Sequence, residues 1–239
     1  MNEIKNKFED IISHDLSTRA YEEENWNFLS SLSPHIAIMK DYPQNHPYHC
    51  YDLLMHTCLT VDGIDPSNLT DHEYQLLKVA GFFHDIGKPS VAKEVTNKYG
   101  ETRTVFHNHA DMSEVIATPV LEQLGYEGED LLKLRFYIVA HDLFLQFTPE
   151  NLYSKSSRRT IINVENIKRV QERFMEKRED LHVTKHDFFV MMSLSRSDAF
   201  SHNKIVKDHD GNVFDTNVDM ALRALMIQKV CIMLEEEKI

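Results

Sequence analysis

Residues 70–89 read Thr70-Asp71-His72-Glu73-Tyr74-Gln75-Leu76-Leu77-Lys78-Val79-Ala80-Gly81-Phe82-Phe83-His84-Asp85-Ile86-Gly87-Lys88-Pro89. Thr70 and Glu73 have the spacing of a capping box, in which each side chain closes a free backbone N–H of the other residue. Beyond them Leu76, Leu77, Val79, Ala80, Phe82 and Phe83 cover nearly every side of a helix rather than one stripe. This pattern predicts a central helix buried all round, ended by Gly87 and Pro89. His84 and Asp85 then fall at the end of an apolar rod, where a buried polar pair needs a compensating partner. An imidazole with a carboxylate suits Mn, Fe, Zn, Co or Ni, whereas thiolate ligation needs paired cysteines. Neighbouring side chains diverge by about 100° on a helix, yet near its end both can reach one ion or two adjacent ones.

Working outward, helical periodicity recurs near 49–61, 110–124, 129–142, 164–180, 184–202 and 215–237. Gly125 is a stop signal, and Pro119 interrupts the helix before it. Residues 93–106, around Asn97-Lys98-Tyr99-Gly100, and 204–214, around Asp208-His209-Asp210-Gly211-Asn212, read as hairpins or ordered loops. The expectation is an all-α chain: one helical domain over 1–239, with an N-terminal helical elaboration over 1–45, a C-terminal helix at about 215–237 and one or two hairpin-like insertions.

Composition narrows the function. Only 7 of 239 residues are glycine, too few for Gly-rich phosphate loops or turn-dense β architectures. Three cysteines, Cys50, Cys58 and Cys231, form no CxxC pair and point to a reducing compartment. With no apolar leader and no long apolar run, the expected location is cytoplasmic, with no membrane partner. A net charge of −12 argues against a stable DNA complex. Histidine, at 14 residues, is twice as frequent as glycine.

Several of these histidines have company. Asp52 and His56 lie four apart on one helix face. Downstream come Phe106-His107-Asn108-His109, Ala140-His141-Asp142 and Ser195-Arg196-Ser197-Asp198. His107 competes with His109, and Asp52, Asp142 and His202 are candidates to orient ligands from behind. Lys88, three residues beyond Asp85, could neutralise a phosphate oxygen. Arg158 and Arg159, among small hydroxyls, suit phosphate or RNA backbone. Arg196 is a third candidate, with an ion pair as its competing explanation.

The ordered set His56, His84-Asp85, His109, His141, Asp198 resembles the HD superfamily of metal-dependent phosphohydrolases over about residues 48–202. Tyr51-Asp52-x-x-x-His56-Thr57, His84-Asp85-Ile86-Gly87-Lys88 and Phe106-x-Asn108-His109-x-x-x-Ser113 are closest to the HD domain of some bacterial tRNA nucleotidyltransferases, with Asn108 where that family has Gly. No nucleotidyltransferase signature accompanies them, so adenylyl transfer is not expected. The resemblance implies an all-helical HD bundle. His56, His84, Asp85 and Asp198 would hold a first divalent transition metal, and His109 and His141 a second, with Asp85 bridging. Asp85 and Lys88 become the catalytic residues, with Lys88, Arg158, Arg159 and Arg196 toward substrate. The implied reaction is hydrolysis of a phosphomonoester or phosphodiester in a phosphorylated small molecule, nucleotide or RNA end, of the 2′-nucleotide or 2′,3′-cyclic phosphate type. The alternatives are an HD-type diiron oxygenase and a non-catalytic nucleotide-sensing HD module.

Overall fold

The structure, a computed structural model, describes residues 2–45, 50–97, 99–100, 102–150, 159–202, 205–207 and 213–236. It is all-α, with three two-stranded ribbons at the margins. The chain begins with α1 (Asn2–Ile12), α2 (Leu16–Arg19), α3 (Glu23–Leu32) and α4 (Pro34–Met39), then enters α5 (Leu53–Asp62) and α6 (Asp71–Phe83). A short α7 (Lys88–Val91) leads to the antiparallel ribbon β1 (Lys93–Thr96) and β2 (Thr102–Val105). Helices α8 (His109–Leu124) and α9 (Gly128–Ala140) form a helical hairpin. The strands β3 (Phe147–Thr148) and β4 (Thr160–Ile161) pair in parallel over two residues. Then come α10 (Val164–Lys177), a 3₁₀ turn (Glu179–Leu181) and α11 (Lys185–Ser201). The ribbon of β5 (Ile205–Lys207) and β6 (Val213–Asp215) precedes α12 (Thr216–Glu236).

The capping box at α6 forms as its sequence predicts, with Thr70 Oγ1 accepting from Glu73 N and Glu73 Oε2 accepting from Thr70 N. Leu76 through Phe83 are all buried. Lys78 is among them, and its ammonium donates to the carbonyls of Ile12 and Ser13 at the end of α1. A cation on the last carbonyls of a helix is favourably placed, which explains how a lysine survives in an apolar helix. Phe8 of α1 packs on Phe82 and Phe83 at ring separations of 5.3 and 5.8 Å. Asp62 at the end of α5 accepts from the first backbone N–H groups of α2 at 2.7 and 2.8 Å. One cluster of buried apolar residues runs from Phe8 to Leu234.

The end of α6 departs from expectation. The helix stops at Phe83, His84–Gly87 form a turn, and Pro89 opens α7 instead of closing α6. Proline's fixed φ fits a first helical turn, so it starts a helix as readily as it ends one. Gly87 has a different duty. A Cβ there would meet Ser113 N at 2.5 Å and His109 O at 2.7 Å, and Gly87 N donates to Ser113 Oγ at 2.9 Å. Only a bare backbone lets the first turn of α8 sit this close to the His84-Asp85 turn. At the far end of α8, Gly125 adopts φ 94°, and the helix continues through Pro119 without a break. Among the described residues no helix is long and apolar enough to cross a membrane.

Candidate metal centre

Five elements deliver the polar cluster. His56 comes from the middle of α5, His84 and Asp85 from the turn after α6, His109 from the start of α8, His141 from the end of α9, and Asp198 from α11. His84, Asp85, His56, His141 and Asp198 are buried. The two oxygens of Asp85 face different partners. Oδ2 lies 3.1 Å from His56 Nε2 and 3.2 Å from His84 Nε2. Oδ1 lies 3.1 Å from His109 Nε2 and 3.8 Å from His141 Nε2. Asp198 Oδ1 completes the first set, 3.1 Å from His56 Nε2 and 3.6 Å from His84 Nε2. Donor atoms around one ion at about 2.0–2.2 Å are separated by roughly 3–4 Å, so both sets have the spacing of a ligand shell.

Hydrogen placement supports the same assignment. His84 Nδ1, His109 Nδ1 and His141 Nδ1 lie 2.7, 2.9 and 2.7 Å from the carbonyls of Gly81, Phe106 and Ile138. A carbonyl only accepts, so each Nδ1 carries hydrogen and each neutral Nε2 turns a lone pair toward the carboxylates. His56 uses a side chain instead. Ser201 Oγ donates to Asp198 O at 2.7 Å and accepts from His56 Nδ1 at 2.8 Å. Lone pairs facing carboxylate oxygens repel unless a cation lies between them. His84 Nε2, Asp85 Oδ1 and Asp198 Oδ1 have no well-aligned hydrogen-bond partner despite being buried. The cluster therefore fits a divalent metal site: His56-His84-Asp85-Asp198 and Asp85-His109-His141 are each compact enough to hold one ion, and His141, Asp142 and Asp198 make a third such group that shares members with both.

The charges show the same demand. Burial opposes ionisation of Asp85, yet His84 and Lys88 hold its carboxyl well below the usual range. Asp198 is likewise lowered against burial, by His202 and His56. Burial disfavours a charged His84, but Asp85 and Asp198 push it up to about 10. His141 and His202 go the other way: burial lowers both, His202 to about 4. Left to protons, the carboxylates recruit positive charge from one imidazole and from Lys88, whose ammonium lies 2.6 Å from Asp85 Oδ2.

The cluster opens on a cavity of about 510 Å³. Lys88 lines it but is itself buried, donating to Gln44 Oε1 at 2.9 Å, so its cation serves Asp85 as well as the cavity. Arg159 lines the cavity and is exposed; Arg158 lies outside the described residues. Arg196 is a correction: it does not line the cavity, and its guanidinium pairs with Asp65 at 2.7 Å. Its helix position turns it toward the α5–α6 connection rather than toward Asp198's side. Asp142 is 3.2 Å from His109 Nε2 and His202 is 3.5 Å from Asp198 Oδ1. Asp52 does not join them; it caps α5 by accepting from Met55 N at 2.8 Å. His107 is exposed, while His109 points inward. Sequence reasoning missed Gln44, Ser201, Arg103 and Arg223. Ser201 had a findable signal, three residues after Asp198 on the same helix face; the others carried none.

Asn108 takes φ 63° just before α8, the left-handed conformation that glycine favours and asparagine tolerates. This is the position at which the resembling motif has Gly. Comparison with curated proteins finds no match. The HD domain family matches residues 44–210, and HD domains are in general metal-dependent hydrolases. With the matched span covering most of the chain and containing every member of the histidine–aspartate cluster, the protein belongs to the HD domain family.

Proposed function

We propose that this protein is a metal-dependent phosphohydrolase acting on a phosphomonoester or phosphodiester. One observation carries the reading: the two carboxylate oxygens of Asp85 divide between His56 and His84 on one side and His109 and His141 on the other. A divalent ion, when bound, acidifies water and draws charge from phosphoryl oxygens, and a pair of ions does both across one displacement. His56, His84, Asp85 and Asp198 would hold one ion, and Asp85, His109 and His141 the other. Lys88, bonded to Asp85 and facing the cavity, offsets negative charge that builds on the phosphoryl group. Asp142, whose Oδ2 lies 3.2 Å from His109 Nε2, would stand beside that second ion. Arg159 steers the anion at the mouth.

The finer reading is a nucleotide or RNA end of the 2′-nucleotide or 2′,3′-cyclic phosphate type. It rests on the resemblance of the Tyr51–Thr57, His84–Lys88 and Phe106–Ser113 segments to the HD domain of tRNA nucleotidyltransferases. Metal analysis of purified protein, paired with a phosphate-release screen over nucleotides and cyclic nucleotides, tests both levels. Metal content should be about two per chain and fall to about one in His109→Ala and His141→Ala, with activity reduced by orders of magnitude. Wild-type metal content and turnover in both variants would refute the two-ion reading. Release from simple aryl phosphates but from no nucleotide would remove the finer one.

A further inference from the structure

The chain builds the same helix end twice. Helix α6 stops at Phe83 and hands over to His84-Asp85, and α9 stops at Ala140 and hands over to His141-Asp142. His84 takes φ −55° and ψ −34°, and His141 takes φ −55° and ψ −32°. Each imidazole meets, through Nδ1, the carbonyl three residues earlier at 2.7 Å. In both pairs the carboxylate that follows stands on the Nε2 side of the ring: Asp85 Oδ2 is 3.2 Å from His84 Nε2, and Asp142 Oδ1 is 3.8 Å from His141 Nε2. The other oxygen of Asp142 lies 3.2 Å from His109 Nε2. A carboxylate that orients a metal-bound histidine stands instead at the nitrogen away from the metal. Those nitrogens are already taken, by Phe106 O for His109 and by Ile138 O for His141. Asp142 thus meets both rings at the nitrogen that Asp85 Oδ1 meets, at 3.1 and 3.8 Å. That Asp85 oxygen is buried with no well-aligned hydrogen-bond partner.

We propose that Asp142 is a protein ligand of the second ion, joining Asp85, His109 and His141, so that each ion is held by two imidazoles and two carboxylates. The proposal deepens the two-ion reading and rests on it. Without Asp142 the second ion has one carboxylate, and Asp85 is shared with the first. Two buried divalent charges would then face Asp85 and Asp198 alone, and buried charge demands compensation. Asp142 adds a third anion, and its oxygen is a donor that suits a hard ion such as Mn²⁺. Its side chain is 28% exposed, against 2% for Asp85, and it lines the cavity, which puts it on the side open to substrate. Asp142 is also close enough to His141 and Asp198 to form a donor group with them, so a discriminating measurement has to tell the two ions apart.

The test is a calorimetric titration of the full chain with Mn²⁺, which needs neither substrate nor turnover. Wild type should take up about two ions per chain. Asp142→Asn, which keeps the size of the side chain and removes its charge, should weaken one binding step by about tenfold or more and leave the other within about twofold. Asp142→Glu, which restores a carboxylate, should recover part of that loss. In His109→Ala, where only the first ion is left, adding Asp142→Asn should change nothing. The visible absorption of the Co²⁺-loaded protein should also differ between wild type and Asp142→Asn, because losing a ligand changes the geometry around the ion. Two wild-type binding steps in Asp142→Asn overturn the proposal alone. A weakened step with an unchanged Co²⁺ spectrum overturns it too, since the loss then comes from charge at a distance. So does weakening of the ion that remains in His109→Ala, because Asp142 would then serve the group of Asp198. A single ion per chain in wild type overturns the two-ion reading and the proposal with it.

Discussion

Four imidazoles meet Asp85 through Nε2, and what holds each Nδ1 decides how firmly. His84, His109 and His141 each bond to a carbonyl three residues earlier in their own chain, so their orientation comes with the local backbone. His56 depends on Ser201, which lies 145 residues away. Ser201 can accept from His56 Nδ1 because its own hydrogen goes to Asp198 O, and Thr60 Oγ1 lies within 2.9 Å to serve its remaining lone pair. Removing the hydroxyl frees the imidazole to rotate or to change tautomer while leaving all ligand atoms in place. Ser201→Ala should therefore weaken metal binding by about 10–100-fold, read by competition with a chelator of known affinity. Ser201→Thr, which keeps the hydroxyl, should recover most of that loss. Equal affinity in wild type and Ser201→Ala would show that His56 needs no such partner.

At the scale of elements, α8 is held along its first half. At its start Gly87 admits it against the His84-Asp85 turn, where a methyl group would strike backbone atoms at 2.5 and 2.7 Å. Further along, Glu114 accepts from Arg135 of α9 at 2.9 Å and from Arg178, at the end of α10, at 2.7 Å. Backbone cannot step aside as a flexible side chain can. Gly87→Ala should cost about 2–3 kcal/mol and should lower metal content too, because the shift moves His109 away from Asp85. Urea denaturation and metal analysis check the two halves of that expectation. Helix α11 has a pH-sensitive tie of its own. His186 in its first turn reaches Glu73 of α6 at 2.6 Å and Glu235 of α12 at 2.9 Å. Burial opposes its protonation, but the two carboxylates raise its pKa above the usual value. A raised histidine contributes stability that is fully present below its unfolded pKa of about 6.5 and is lost as pH rises through the folded one. Thermal stability should thus decline across that window, and the decline should be shallower in His186→Gln; an identical pH profile would discount the tie. What was legible in the sequence follows the same division. Long elements with periodic apolar residues, α6 above all, could be read from spacing, and the ligand set could be read from residue type and order. The β3–β4 pairing could not, since two residues carry no period. Neither could Gln44, which meets Lys88, nor Arg103 and Arg223, which line the cavity: they are polar residues without a motif, placed by segments distant in the chain that pack together. Arg196 shows the reverse error: proximity to Asp198 in sequence did not bring it to the same side of α11.

For the whole molecule, the question is how far the fold depends on what the cluster binds. The core that surrounds α6 is continuous and apolar from Phe8 to Leu234, so the bundle has a source of stability apart from the histidines. Against it stands the cost of two buried carboxylates whose deficit of positive charge only Lys88 and protonated imidazole partly relieve. A divalent ion binds these donors only when five separate elements have come together, which means it binds the folded chain and not the unfolded one. Such a ligand at 100 times its dissociation constant stabilises by about 2.7 kcal/mol. In a chain of this size each kcal/mol moves the melting temperature by about 2–4 °C. Saturating Mn²⁺ should then raise it by about 5–11 °C, whereas Asp85→Asn should show almost no rise, since Asp85 serves both donor groups. Stripping the metal with a chelator should abolish phosphate release and leave the far-ultraviolet circular dichroism of the helices largely unchanged. Loss of helical signal on chelation would instead mean that the ion completes the bundle, and equal melting temperatures with and without Mn²⁺ would mean that the cluster does not hold it.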